Sequence, residues 1–220
     1  EIPLRLVGSE MCIRDRDKRL VRALDFYPME SGFLVTDYLG EYRQKWTDQQ
    51  GKWINSTNEI PTRKYNEKIS RPILAQAWRS FIDYNPQKKI LAMATQLGEV
   101  LEIYNFKDSV QFIIYGPHGE PEFQSTPSDA IPIGIMGFSD IQITDNYIYT
   151  VFHGKTFKEI EQALKQGKKT EDGGYYIYVF DLAGNLVRKY ILDHAIYGIY
   201  VNEDTGTILA TDVNLSLIHI

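Results

Sequence analysis

The chain is short of cysteine, of long apolar runs and of positive charge. Cys12 is its only cysteine, so no disulfide can close within it, and 220 residues are enough to build a core from apolar burial alone. The missing disulfide therefore assigns no redox compartment. No apolar stretch approaches the ~20 residues that cross a bilayer as a helix. A formal net charge of -5 suits a chain that does not track phosphates, so nucleic acid is not an expected partner.

The familiar catalytic patterns are missing too. "HGKT" (153–156) has the tail of a phosphate-binding loop, but Tyr149 stands where the loop needs its first glycine. Ser139 lies in "GFSDI", with Ile141 where a nucleophile elbow needs glycine. His118, His153 and His194 lie far apart, without the carboxylate spacing of a metal site. The expectation is no catalytic residue, no metal and no cofactor. "NST" (55–57) fits a glycosylation sequon by pattern.

What the chain does have is aromatic side chains: 15 Tyr, 10 Phe and 3 Trp. Such residues pack well on pleated, half-buried surfaces. They also recur in register. "VNEDTGTILATD" (201–212) aligns with "DYNPQKKILAMA" (83–94), "FYPMESGFLVTD" (26–37) and "ITDNYIYTVF" (143–152). With Leu34, Leu91, Tyr149 and Leu209 equivalent, the spacings are 57, 58 and 60 residues. Within one period "RSFIDY", "KKILAMAT", "EVLEIYNF" and "VQFIIYG" are separated by "NPQ", "QLG" and "KDS", all turn chemistry. Loops this short force antiparallel neighbours. Four-stranded antiparallel units at this period predict an all-β fold, a β-propeller of four-stranded blades.

The first unit is the least legible, because residues 41–72 are polar and only its first strand or two can be placed. One segment breaks the β pattern. In "TFKEIEQALKQG" (156–167) Thr156 and Glu159 have capping-box spacing and Gly167 suits a helix end, which predicts a short inserted helix near 157–166. Its apolar stripe should need a partner on the propeller face. Residues 175–193 read as the outer strands of one blade, and His194 to Tyr197 as the crossing to the next.

The two ends look different in kind. "LVGSEMCIRDR" (6–16) and "LSLIHI" (215–220) resemble translated sequencing adapter. Residues 1–16 and 215–220 are accordingly expected to be non-native tails, with "LSLIHI" in no blade. That leaves 17–214 as a partial propeller with blade units of about 20–74, 75–136, 137–194 and 195–214.

Over residues 75–212 the chain resembles a group of TolB-like six-bladed β-propellers of Bacteroidetes. The resemblance is carried by Gly137-Phe138 with Asp140, by Ile148-Tyr149, by His153-Gly154-Lys155, and by Ile177-Tyr178-Val179-Phe180-Asp181 with Gly184. It implies a cell-envelope protein, often lipid-anchored, and supplies no catalytic mechanism. Six blades of this length need about 350 residues, so the chain is expected to be an incomplete arc of about three to four blades.

If the innermost strand starts each blade, the loops leading into it share a rim with the loops between second and third strands. That gathers Trp78, Arg79, Phe138, Asp140, His153, Lys155, His194 and Tyr197 with the inserted helix. Loops on a rigid scaffold are where binding is usually built. The expected function is non-catalytic binding of a protein, peptide or glycan at this rim. The alternative is a hydrolase or lyase using His153, His194 or Asp140 at the channel mouth. A packing role competes at each position: Phe138 and Tyr197 between blades, Asp140 on turn amides.

Overall fold

A computed structural model describes residues 23–37, 42–64, 68–168, 170, 173–212 and 216–219. Residues 1–16, expected to be a tail, lie outside them. The chain divides into two compact units, Glu1–Ala75 and Gln76–Ile220.

The first unit holds one antiparallel sheet in the order β1 (Ala23–Met29), β2 (Gly32–Asp37), β3 (Gln44–Thr47), β4 (Trp53–Thr57). The sequence hid its second half because polar residues fill buried positions. Gln44, Lys45 and Thr47 are all buried, and Gln44 Oε1 accepts hydrogen bonds from Thr57 Oγ1 (3.2 Å) and Asn58 Nδ2 (2.9 Å). Asp48 shapes the turn between them, its carboxylate accepting from the backbone N–H of Gln50 and Lys52, an Asx arrangement. A short helix, α1 (Arg71–Ala77), follows.

In the second unit the predicted strands appear nearly residue for residue. β5 (Ser80–Asn85), β6 (Ile90–Thr95), β7 (Val100–Asn105) and β8 (Val110–Tyr115) form one four-stranded sheet in chain order. A small hairpin that the sequence did not signal, β9 (Phe123–Ser125) with β10 (Ala130–Pro132), precedes the next sheet. That sheet is β11 (Phe138–Ile143), β12 (Tyr147–Phe152), β13 (Gly174–Asp181), β14 (Leu186–Ile196). The last holds β15 (Gly198–Asn202), β16 (Thr207–Asp212) and β17 (Ser216–His219). Each is a meander, and their first strands lie beside one another, β5 against β11 and β11 against β15. That is the blade arrangement of a propeller.

Two readings of the last blades are corrected. "LSLIHI" does enter a sheet: Ser216–His219 pairs with Leu209–Asp212, because the open edge of β16 offers unpaired N–H and C=O groups to any short extended segment. The crossing is also shorter than His194 to Tyr197. Gly174 pairs with Ile196 while Tyr176 pairs with Ile191, so β14 bulges around His194 and returns to the sheet, leaving only Tyr197 between blades.

Apolar burial between the second and third blades forms the main core, with Ala92, Leu101, Ile103, Phe138, Ile148 and Phe152 among its members. Side chains of one inner strand bond the backbone of the next. Asp83 Oδ2 accepts from Ile143 N–H (2.7 Å) and Asp140 Oδ2 from Ile199 N–H (2.7 Å). Asn85 Nδ2 donates to Thr144 C=O (3.0 Å). Gln142 both donates to Val201 C=O (3.0 Å) and accepts from Val201 N–H (2.6 Å). Asp83-x-Asn85 and Asp140-x-Gln142 are thus the same device one blade apart.

The predicted helix is α2 (Phe157–Lys165), between the second and third strands of its blade, with the full capping box of Thr156 and Glu159. The Thr156 amide and hydroxyl hold the Glu159 carboxyl below its ordinary range. Gly167, just past the end at φ +68°, takes the left-handed conformation that glycine adopts without cost. The expected partner for its apolar stripe is found in part: Phe157, Ile160 and Ala163 are half-buried, no residue of α2 is fully buried, and Leu164 is 58% exposed.

Candidate functional site

The loop leading into β11 is held from both sides. Gly98 N–H and Gly137 N–H bond Ile135 C=O and Gln96 C=O, joining it to the loop after β6. Met136 N–H bonds Lys155 C=O, and His153 N–H bonds Gly137 C=O, joining it to the loop after β12. Gly137 is required for this approach, since a Cβ there would lie 2.4 Å from Gly98 O. Phe157 N–H donates to Gly134 C=O (3.0 Å), which fastens the start of α2 to the same loop.

These fastened loops enclose a cavity of about 280 Å³. Phe81, Leu97, Met136, Phe138, Phe157 and Tyr197 supply its apolar lining, and Gln96, Ser139 and His153 its polar side chains. Phe138, His153 and Tyr197 of the predicted rim therefore meet here. Phe138 is buried and stacks into the core, 5.1 Å from the Phe152 ring, so it packs between blades as well as lining the cavity. His153 is buried, and its Nδ1 accepts from Lys155 N–H (3.2 Å). Tyr197 is 43% exposed. Ser139 Oγ is shut off from solvent and has no hydrogen-bond partner among the described residues.

The other five candidates are not among the residues lining it. Trp78 is buried, and Arg79 is exposed with its C=O bonded to Gln96 N–H. Lys155 places its ammonium 4.5 Å from the centre of the Tyr175 ring. His194 Nδ1 lies 2.5 Å from Asp193 Oδ1. Asp140 has both oxygens occupied, by Ile141 N–H and Ile199 N–H, and burial, assisted by the nearby charge of Asp83 and opposed by those two bonds, raises its carboxyl above the ordinary 3.8.

A larger cleft, about 780 Å³, lies at the opposite end of the inner strands, across the turns after β5, β11 and β15. Its lining includes Asp83, Asn85, Asp145, Asn146, Glu203 and Asp204. Glu203 is a hub, accepting from Thr144 Oγ1 (2.6 Å), Asn146 Nδ2 (2.8 Å) and Tyr149 OH (3.2 Å). Burial first, and the Glu203 charge and hydrogen bond next, push the Tyr149 hydroxyl up to about 12. Sequence reasoning missed this end because its residues read as turn punctuation. The signal available was that an Asn recurs at the same turn of three successive units, as Asn85, Asn146 and Asn202. Among the described residues no group of three or more His, Cys, Asp or Glu is placed to hold a metal ion, and no helix is long and apolar enough to cross a membrane.

The family described as TolB-like 6-blade propeller-like matches residues 5–204. The chain belongs to this family. For this TolB-like chain, no curated protein gives a match. Among solved structures, that of U3-55K aligns with 84% of the chain at 8% identity and a TM-score of 0.35. The TolB-like chain spans 59% of that protein's length.

Proposed function

We propose that this TolB-like chain is the ligand-holding part of a longer, six-bladed, cell-envelope propeller from the Bacteroidetes, binding a protein, peptide or glycan at its rim without turning it over. The observation that carries this reading is the 280 Å³ cavity at the fastened loops. A concave, largely apolar lining with a few polar groups is the usual form of a binding pocket. The occupied oxygens of Asp140 support holding rather than proton transfer, which needs a base within reach of its proton. Trp78, Arg79 and Lys155 serve in this reading to shape the rim around the cavity.

The test is a binding screen of the purified chain against envelope glycan fragments and peptides, beside a turnover screen with glycosidase, lyase and esterase substrates. Saturable binding that Tyr197→Ser weakens is the expected result. Turnover abolished by Asp140→Asn or His153→Gln would overturn it in favour of a hydrolase or lyase.

A further inference from the structure

β14 is the outermost strand of its blade, and among the described residues it pairs with β13 alone. Its other edge, on the side away from the inner strands, is open, and an open edge is a template for a further strand. The side chains on it set it apart from the other outer strands. β4 and β8 each expose one large apolar side chain, Ile54 and Val110, whereas β14 exposes Leu186, Val187, Tyr190 and Ile191, the last at 76%.

Charge on the strand is divided about Ile191, with Arg188 and Lys189 before it and Asp193 after it. Lysine on an edge ordinarily discourages pairing. Here the Lys189 ammonium folds back over its own sheet, 4.1 Å from the centre of the Tyr176 ring, and Arg188 donates to Tyr190 OH on its own strand (2.9 Å). The Asp193 side chain is 90% exposed, one of its oxygens lying against His194 Nδ1. The ladder to β13 is regular from Arg188 to Ile191, so this stretch of the edge is straight strand.

The spacing fits the strand to a copy of itself. Residues directly opposite in an antiparallel pair share a face, so two copies related by a twofold axis through the sheet meet in registers centred on a residue. Centred on Ile191, Lys189 of each copy stands opposite Asp193 of the other, and Tyr190 opposite Leu192. Centred on Tyr190, Lys189 meets Ile191 and Asp193 meets Val187. Centred on Leu192, Lys189 meets Ala195 and Asp193 meets Ile191; centred on Lys189, the two lysines meet each other. The Ile191 register alone sets Lys189 against Asp193, and it does so twice, around the most exposed large apolar side chain among the described residues.

We infer that β14 is a docking edge for a second copy of this chain, the two strands pairing antiparallel about Ile191 so that the two sheets run on as one. This interface is separate from the rim and its ligand.

The experiment follows the whole chain by sedimentation equilibrium over a wide range of concentration. The chain should dimerise. Lys189→Glu and Asp193→Lys each set like charges opposite one another at both pairs, and each should weaken the dimer about tenfold or more. An equimolar mixture of the two variants restores both attractive pairs and should recover dimers containing one of each, as should the two substitutions combined in one chain. That recovery also certifies that both variants fold. A chain that stays monomeric, a dimer indifferent to either charge reversal, or a loss that neither mixing nor the combined variant recovers overturns the inference.

Discussion

At one end of β5, β11 and β15, four aromatic rings surround about 280 Å³; at the other, carboxylates and amides surround about 780 Å³. The contrast follows from what holds each end together. At the aromatic end the loops of two blades are joined backbone to backbone, through Gln96, Gly98, Ile135 and Gly137, so side chains are left over to wall a cavity. At the polar end the side chains themselves make the joints: Asn85 reaches the turn after β11, and Glu203 reaches back to Thr144, Asn146 and Tyr149.

The contrast can be broken most forcefully from the aromatic side. Phe138→Ala should cost about 3–5 kcal/mol in urea unfolding, because the ring is both cavity wall and core. At the polar end Gln142→Ala should cost about 1–3 kcal/mol, since it strands both backbone groups of Val201. Amide exchange at Val201 should rise with it, and an unchanged exchange rate there would separate the ends less than the structure does. Thr156→Ala removes the cap that sets α2 and Phe157 in place. A loss of about 1 kcal/mol should show as faster exchange along Phe157–Lys165, with little change in global unfolding because none of those residues is buried.

The smallest effect is one of pH. Burial raises the Asp140 carboxyl above 3.8. Between 3.8 and that raised value the folded chain keeps a proton that the unfolded chain has lost, so stability falls as pH rises through the window. Asp140→Asn should flatten that slope in denaturation midpoints measured across acid pH, while its side-chain carbonyl can still accept from Ile199.

Much of the fold was legible because turn residues bracket the strands of the second unit. "NPQ", "QLG" and "KDS" sit at the turns between β5, β6, β7 and β8. The polar half of the first blade was not legible, because Gln44 and Thr57 hydrogen-bond each other inside the sheet, and no periodicity records a buried polar pair. The β9–β10 hairpin escaped because strands of three residues, one ending in Pro132, are too short to show alternation. The aromatic end was visible in part through Phe138, His153 and Tyr197. The unpartnered Ser139 hydroxyl was not, since nothing in a sequence marks a polar side chain that has been buried without a partner.

Three of the joints made by the inner strands address main-chain amides. Asp83, Asp140 and Gln142 bond the amides of Ile143, Ile199 and Val201, and every residue type except proline offers that same amide. The receiving strand can therefore drift in sequence without losing its docking, and a copied unit would find a compatible neighbour in any other. A seam that recognises peptide groups lets a propeller grow by duplication first and diversify its loops afterwards, with proline at the three receiving positions as the one replacement it cannot absorb.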